Sequence, residues 1–305
     1  MDFSRFGYPS KEWLTFIEGE PSAARDGFVG NDPTNAETLR TLSNNVRGAV
    51  GAKLIIEAGL DQRVSITTLQ IPSRNSHTIP LRVYKPMRST GNGPKGAVLY
   101  FHGGGFLLGD ETSDDFLCCR VAEETNTIVL SVIYRHTHKY KHPAQMEDAL
   151  DAFEYVRDKA PSMDVCTSKG LAVMGISAGC SLAAAVVLKD LELYRTQPAY
   201  NRICVGVLFG IPWLIHIDNY PFHLFKSPEV SAKIQNKETP VIPFARLKLF
   251  SDLLGAKDPT DRLLNIPLVS DSELEDWPKT TFLVAGADPL RDDGLIFAKR
   301  LQSLE

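Results

Sequence analysis

The stretch that most limits what this chain can become is Gly175-Ile176-Ser177-Ala178-Gly179, a G-x-S-x-G sequence. Leu171, Ala172, Val173 and Met174 lead into it, and Ser181-Leu182-Ala183-Ala184-Ala185-Val186-Val187-Leu188 follow with good helix formers. That context puts Ser177 at a strand-to-helix corner, where a nucleophile elbow belongs. Gly175 and Gly179 have a steric task there, because side chains beside so sharp a turn would strike the neighbouring strand and helix. The serine itself is expected to take up strained, exposed geometry.

The flanking sequence alternates strand and helix. Val64-Ser65-Ile66-Thr67-Thr68-Leu69-Gln70-Ile71 and Ile79-Pro80-Leu81-Arg82-Val83-Tyr84 read as an antiparallel hairpin. The loop from Arg88 to Lys95 then leads to the apolar run Gly96-Ala97-Val98-Leu99-Tyr100-Phe101, a buried strand. Thr127 to Tyr134, Ile203 to Phe209 and Thr281 to Ala287 repeat that character, and Ala144 to Lys159 reads as a helix. The alternation predicts an α/β fold with a mostly parallel, doubly wound sheet. The first sixty residues look helical, with Trp13, Leu14, Phe16 and Ile17 as one apolar face and Leu39, Leu42, Val46, Val50, Leu54 and Ile55 as a longer stripe. Residues 212–268 lose the rhythm and scatter aromatics and prolines, as expected of an insertion folding over the strand ends. We therefore expect a single domain of 305 residues, with cap helices at 1–60, core at 61–211, a cap insertion at 212–268 and core again at 269–305.

Composition narrows the partners. A net charge of -4 provides no basic patch, so nucleic acid is not expected. The five cysteines, with Cys118 and Cys119 adjacent, do not suggest a disulfide framework. Neither a signal peptide nor a membrane span is visible, which makes a cytoplasmic location the expectation. His136, His138 and His142 are closely spaced, but no cysteine or acidic ligand pattern completes a metal site.

Phe101-His102-Gly103-Gly104-Gly105-Phe106 follows a predicted strand upstream of the serine, where backbone N–H groups can stabilise a developing oxyanion. We assign the donors to Gly104, Gly105 and Ala178, and read His102 as a structural residue of the turn. With H-G-G-G and G-x-S-x-G in this order, the chain resembles the hormone-sensitive-lipase group of α/β-hydrolases, from about residue 80 onward. Tyr134-Arg135, Pro143-Ala144 and Asp148 resemble a further block of that group, and Ala287-Asp288-Pro289-Leu290-Arg291-Asp292 resembles its acid segment. The resemblance implies Ser177 as nucleophile and Asp288 as triad acid, although Asp288 also suits a helix N-cap. Ile176 and Cys180 replace the group's aspartate and glycine, and His138 and Lys139 replace its proline and glutamate.

The group's histidine lies on a loop one helix and one strand beyond the acid, yet no histidine follows Asp288 here. By that likeness the chain is expected to stop before the last strand and to leave the base unassigned, with His102, His216 and His223 as substitutes to test. The expected function is hydrolysis of a small or medium apolar carboxylic ester through an acyl-enzyme, without metal or organic cofactor, in specialised (secondary) metabolism. Two rivals share the fold. One is a small-molecule-binding protein that has lost catalysis, as in the plant gibberellin receptor, which resembles the same group and lacks the histidine. The other is a non-hydrolytic or acyl-transferring enzyme.

Overall fold

A computed structural model describes residues 1–20, 35–87 and 96–304, so the Arg88 to Lys95 loop lies outside the described residues. Seven strands form one sheet: β1 (Val64–Pro72), β2 (Thr78–Pro86), β3 (Ala97–Phe101), β4 (Ile128–Val132), β5 (Leu171–Ile176), β6 (Cys204–Gly210) and β7 (Lys279–Leu283). Their order is β1-β2-β4-β3-β5-β6-β7. The β1–β2 and β2–β4 pairs are antiparallel, as the hairpin pattern predicts, and the remaining pairs are parallel. Every residue of β3 and β4 is buried, which is why their sequences are apolar without alternation.

The helices are α1 (Lys11–Gly19), α2 (Ala36–Glu57), α3 (Asp115–Thr125), α4 (Ala144–Lys159), α5 (Ala178–Thr196), α6 (Ala232–Gln235), α7 (Phe244–Leu254), α8 (Asp271–Leu274) and α9 (Arg291–Gln302). Helix α5 is the most enclosed, buried without interruption from Ala178 to Leu188. Its alanines and valines join Leu99, Phe101, Val173 and Phe209 in the principal core. Among the described residues no helix is long and apolar enough to cross a membrane.

Register decides where chemistry can occur. Phe101 lies opposite Gly175, and Gly175 opposite Phe209, so the carboxyl ends of β3, β5 and β6 fall level with one another. Their following loops therefore emerge at one edge of the sheet, the position where open α/β sheets place ligands.

Two expectations change. The last strand ends at Leu283 rather than Ala287, because its partner β6 ends at Gly210. Ile211 then takes φ +43°, and its N–H donates to the Leu283 carbonyl as the final rung. The stripe on α2 is also buried only at its two ends. Leu42, Val46 and Val50 are exposed, whereas Ala36, Leu39, Asn44, Gly51 and Ile55 are buried. The helix meets the segment after β3 through polar contacts, including an Arg47–Asp114 ion pair at 2.7 Å, and these set its rotation. None of Trp13, Leu14, Phe16 and Ile17 on α1 is buried among the described residues.

Leu99 is fully enclosed at the centre of the sheet. Leu99→Ala should lower unfolding free energy by about 2–5 kcal/mol, read from the midpoint shift in urea at unchanged slope.

Candidate active site

Ser177 sits between β5 and α5 at φ +52° and ψ −120°, a conformation that costs free energy in any residue with a Cβ. The surrounding backbone maintains it. The Ser177 N–H donates to Gly210 O at 2.8 Å, and Ser177 O accepts from Trp213 N at 3.2 Å. The Ser181 hydroxyl donates to Trp213 O at 2.5 Å, tying the first turn of α5 to the same segment. Both motif glycines are required sterically. A Cβ on Gly179 would lie 2.1 Å from Phe101 O, and one on Gly175 would lie 2.5 Å from Gly179 O.

The loop after β3 arrives beside this corner. A Cβ on Gly103 would stand 3.3 Å from the Ser177 Cβ. Gly104 and Gly105 have φ +126° and +61°, and Phe106 follows at +60°. Phe106, Ile211 and Ser177 are thus three non-glycine residues at positive φ, one in each of the three segments that meet here. Aromatic side chains close the surroundings: the Phe106 and Trp213 rings are 5.6 Å apart, and a Cβ on Gly105 would collide with the Phe250 ring. Ala178 opens α5 directly after the serine, so the sequence-assigned Ser177, Gly104, Gly105 and Ala178 belong to adjoining segments.

All seven histidines are described, and none is hydrogen-bonded to Ser177 or Asp288. The His102 Nδ1–H donates to Gly103 O at 2.9 Å, while its ring stacks on Tyr134 at 4.3 Å. Burial lowers its pKa to about 4, which keeps it neutral and suits a structural role. The His216 Nδ1 accepts from the Asp218 N–H, so its Nε2–H faces the Ser251 hydroxyl at 3.1 Å. Its basic lone pair is therefore already engaged, and burial lowers its pKa as well. His223 is exposed in a short 3₁₀ turn. His142 Nε2 pairs with Asp261 at 2.8 Å, whereas His136 stacks on His102. Among the described residues no group of three His, Cys, Asp or Glu side chains could hold a metal ion.

Asp288 occupies the turn before α9, where its Oδ1 accepts from the Leu290 N–H at 2.6 Å. Asn236 fixes that turn by donating to Gly286 O at 3.1 Å and to Asp288 O at 3.0 Å. Burial pushes the Asp288 carboxyl up to about 6, against the opposing pull of the Leu290 amide and the Lys233 ammonium. Deeper in, Asp293 receives Lys233 Nζ at 3.0 Å and the Leu214 and Ile215 N–H groups at 3.1 Å.

Comparison with known proteins places this geometry. A family described by the α/β hydrolase fold matches residues 98–305. The chain belongs to that family. It is 28% identical over 252 residues to an ethyl acetate hydrolase of Pseudomonas putida, covering 81% of this chain and 73% of that one. It is 29% identical over 223 residues to a versiconal hemiacetal acetate esterase of Aspergillus parasiticus, covering 73% of this chain and 65% of the relative. An esterase structure from Pyrobaculum calidifontis superposes with a TM-score of 0.74 at 25% identity, over 97% of this chain and 85% of that one.

Within this α/β-hydrolase chain, several residues around the site carry no motif. Trp213 and Phe250 lie in a region without periodicity, and Asn44 is a polar residue on a helix otherwise read by its apolar spacing. Only the glycine-rich loop signalled that something must approach it closely.

Two measurements follow from the geometry. Gly179→Ala forces α5 away from β3 and should lower thermal stability measurably by calorimetry, while Ala183→Gly in the same helix, which loses helix propensity and a buried methyl, should cost about 2 kcal/mol. The Asp288 carboxyl should titrate near 6 in carbon NMR, not near its ordinary 3.8. Its folded-state pKa is the higher one, so stability falls as pH rises from about 4 to about 6 and levels off beyond. Asp288→Asn should remove that fall.

Proposed function

We propose that the chain is a serine carboxylic ester hydrolase for small or medium apolar esters, with acetate esters as its first substrate class and specialised metabolism as its setting. One observation carries this reading above the rest: Ser177 is held at positive φ beside a loop of three consecutive glycines. The acetate esters named in the two curated relatives support a short acyl group. Phe106, Trp213 and Phe250 offer the apolar surroundings that such an ester favours.

In this mechanism the Ser177 Oγ bonds to the acyl carbon and gives up its proton to a base. Electron density moves to the carbonyl oxygen, facing the N–H groups of Gly104, Gly105 and Ala178. Collapse expels the alcohol with a proton, and water then releases the acid from the acyl-enzyme. Asp288 is the carboxylate that orients an imidazole, although the present contacts assign that part to none of the seven histidines. In this reading the cap is drawn from the described parts of 1–60 and from 212–268, over a core drawn from the described parts of 61–211 and 269–305. No metal or organic cofactor takes part.

Ligand binding without turnover is the second reading, favoured by the absence of a histidine on Ser177. A fluorophosphonate probe and an aryl acetate separate the two. Esterase function requires labelling at Ser177 and hydrolysis that Ser177→Ala reduces by about 10³-fold or more. Saturable ligand binding with no labelling would replace it with the binding protein.

A further inference from the structure

We propose that Asn44, on the N-terminal helix α2, is a positioning residue for the Gly103–Gly105 loop, acting through Gly109 and the His102 ring. The role rests on the esterase reading above only in what that loop does, not in how it is held. Asn44 is buried, with 6% of its surface exposed, and both ends of its amide are used on one residue. Its Nδ2 donates to Gly109 O at 3.0 Å, and its Oδ1 accepts from the Gly109 N–H at 2.8 Å. That reciprocal pair fixes both the position and the orientation of the Gly109 backbone, which no single bond would do.

Gly109 lies against His102, the residue that precedes the loop. At φ +108° it has no room for a side chain, because a Cβ would meet the His102 ring at 2.2 Å. His102 in turn donates to Gly103 O, and Gly103 adjoins Ser177. The contacts therefore run without a gap from α2 to the serine. Arg40 adds a parallel hold one turn earlier, its Nη1 donating to Leu107 O at 2.7 Å. Helix α2 thus contacts the far end of the loop through side-chain amide and guanidinium groups. A hydrocarbon in place of Asn44 would strand the Gly109 N–H and C=O in a buried site, where each seeks another partner and the backbone shifts.

The test compares wild type, Asn44→Leu, Asn44→Asp and Arg40→Gln by amide hydrogen exchange and by turnover of an aryl acetate. Asn44→Leu should raise exchange over residues 103–109 by about tenfold, with residues 171–176 of β5 unchanged. It should lower kcat about 10- to 100-fold with KM within about threefold, as expected when oxyanion donors move. Asn44→Asp, which keeps the acceptor for Gly109, should recover part of both. Arg40→Gln, at a partly exposed position, should shift both in the same direction by less, and stands in if Asn44→Leu does not fold. Unchanged exchange at 103–109 overturns the proposal. So does raised exchange accompanied by wild-type kcat, or exchange raised equally throughout β5. If the wild-type protein itself turns over no ester, the esterase reading fails while the exchange data still decide whether Asn44 holds the loop.

Discussion

The close approach of α5 to β3 is the constraint on which the rest of this structure depends. With no side chain on Gly179, the helix presses against the carbonyl oxygens of Phe101 and His102. This proximity brings the start of α5 next to the glycine-rich loop, and Ser177 makes the corner at positive φ. The strain is carried by neighbours that would otherwise have unpaired polar groups: Gly210 O, Trp213 N and Trp213 O all bond to the elbow or its first turn. The same groups join β6 to the site. A fold that relaxed Ser177 would have to give up these hydrogen bonds and repack the alanine-rich face of α5, so tertiary structure enforces the local strain.

Much of this was legible in sequence because several signals agreed. Continuous apolar runs identified β3 and β4, which are buried on both faces, and Ala144–Lys159 is the helix that its residues predict. The serine corner could be placed from its flanks alone. Signals failed where burial depends on a partner that sequence does not reveal. Leu42, Val46 and Val50 have helical spacing yet face outward, because α2 is rotated by its contacts with Gly109, Leu107 and Asp114. The residues Val284 to Ala287 look like strand, but β6 has already turned away at Ile211. Asn44 had no visible signal, since an asparagine in a helix is ordinarily a solvated residue.

The histidines illustrate a related point about chemistry. Sequence order alone left His102 and His216 open as bases, and electrostatics and tautomer choice answer for each. His102 uses its protonated nitrogen on Gly103 O, and its burial disfavours the imidazolium that a general base must become. His216 has its acceptor nitrogen on the Asp218 N–H and directs its donor at Ser251. His216 cannot accept the Ser177 proton without first breaking its bond to the Asp218 N–H, whereas the His102 Nε2 has no hydrogen-bond partner among the described residues and it is burial that disfavours its protonation. Chemical type makes a histidine a candidate, and its hydrogen-bond partners decide whether it is available.

Asp288 shows how the irregular segment after β6 is joined to the start of α9. Its turn is held by Asn236 from that segment, while Lys233 and Tyr220 from the same stretch reach Asp293 and Asp292 on α9. Arg291 completes the buried set by contacting Asp292 and the Gln235 side chain. Ion pairs this enclosed contribute little net stability against a hydrophobic alternative, because desolvation offsets their attraction. Their directionality has a different value, since each carboxylate accepts only from donors at particular places. The segment is thereby locked to the start of α9 in one arrangement, and the Asp288 turn is locked with it. Changes to Lys233, Gln235 or Asn236 reach Asp288 through this network, while α2 reaches Ser177 through Gly109. The Asp288 turn and the loop beside Ser177 are thus each held by elements outside the parallel sheet, while the sheet supplies the level edge from which the loops after β3, β5 and β6 emerge.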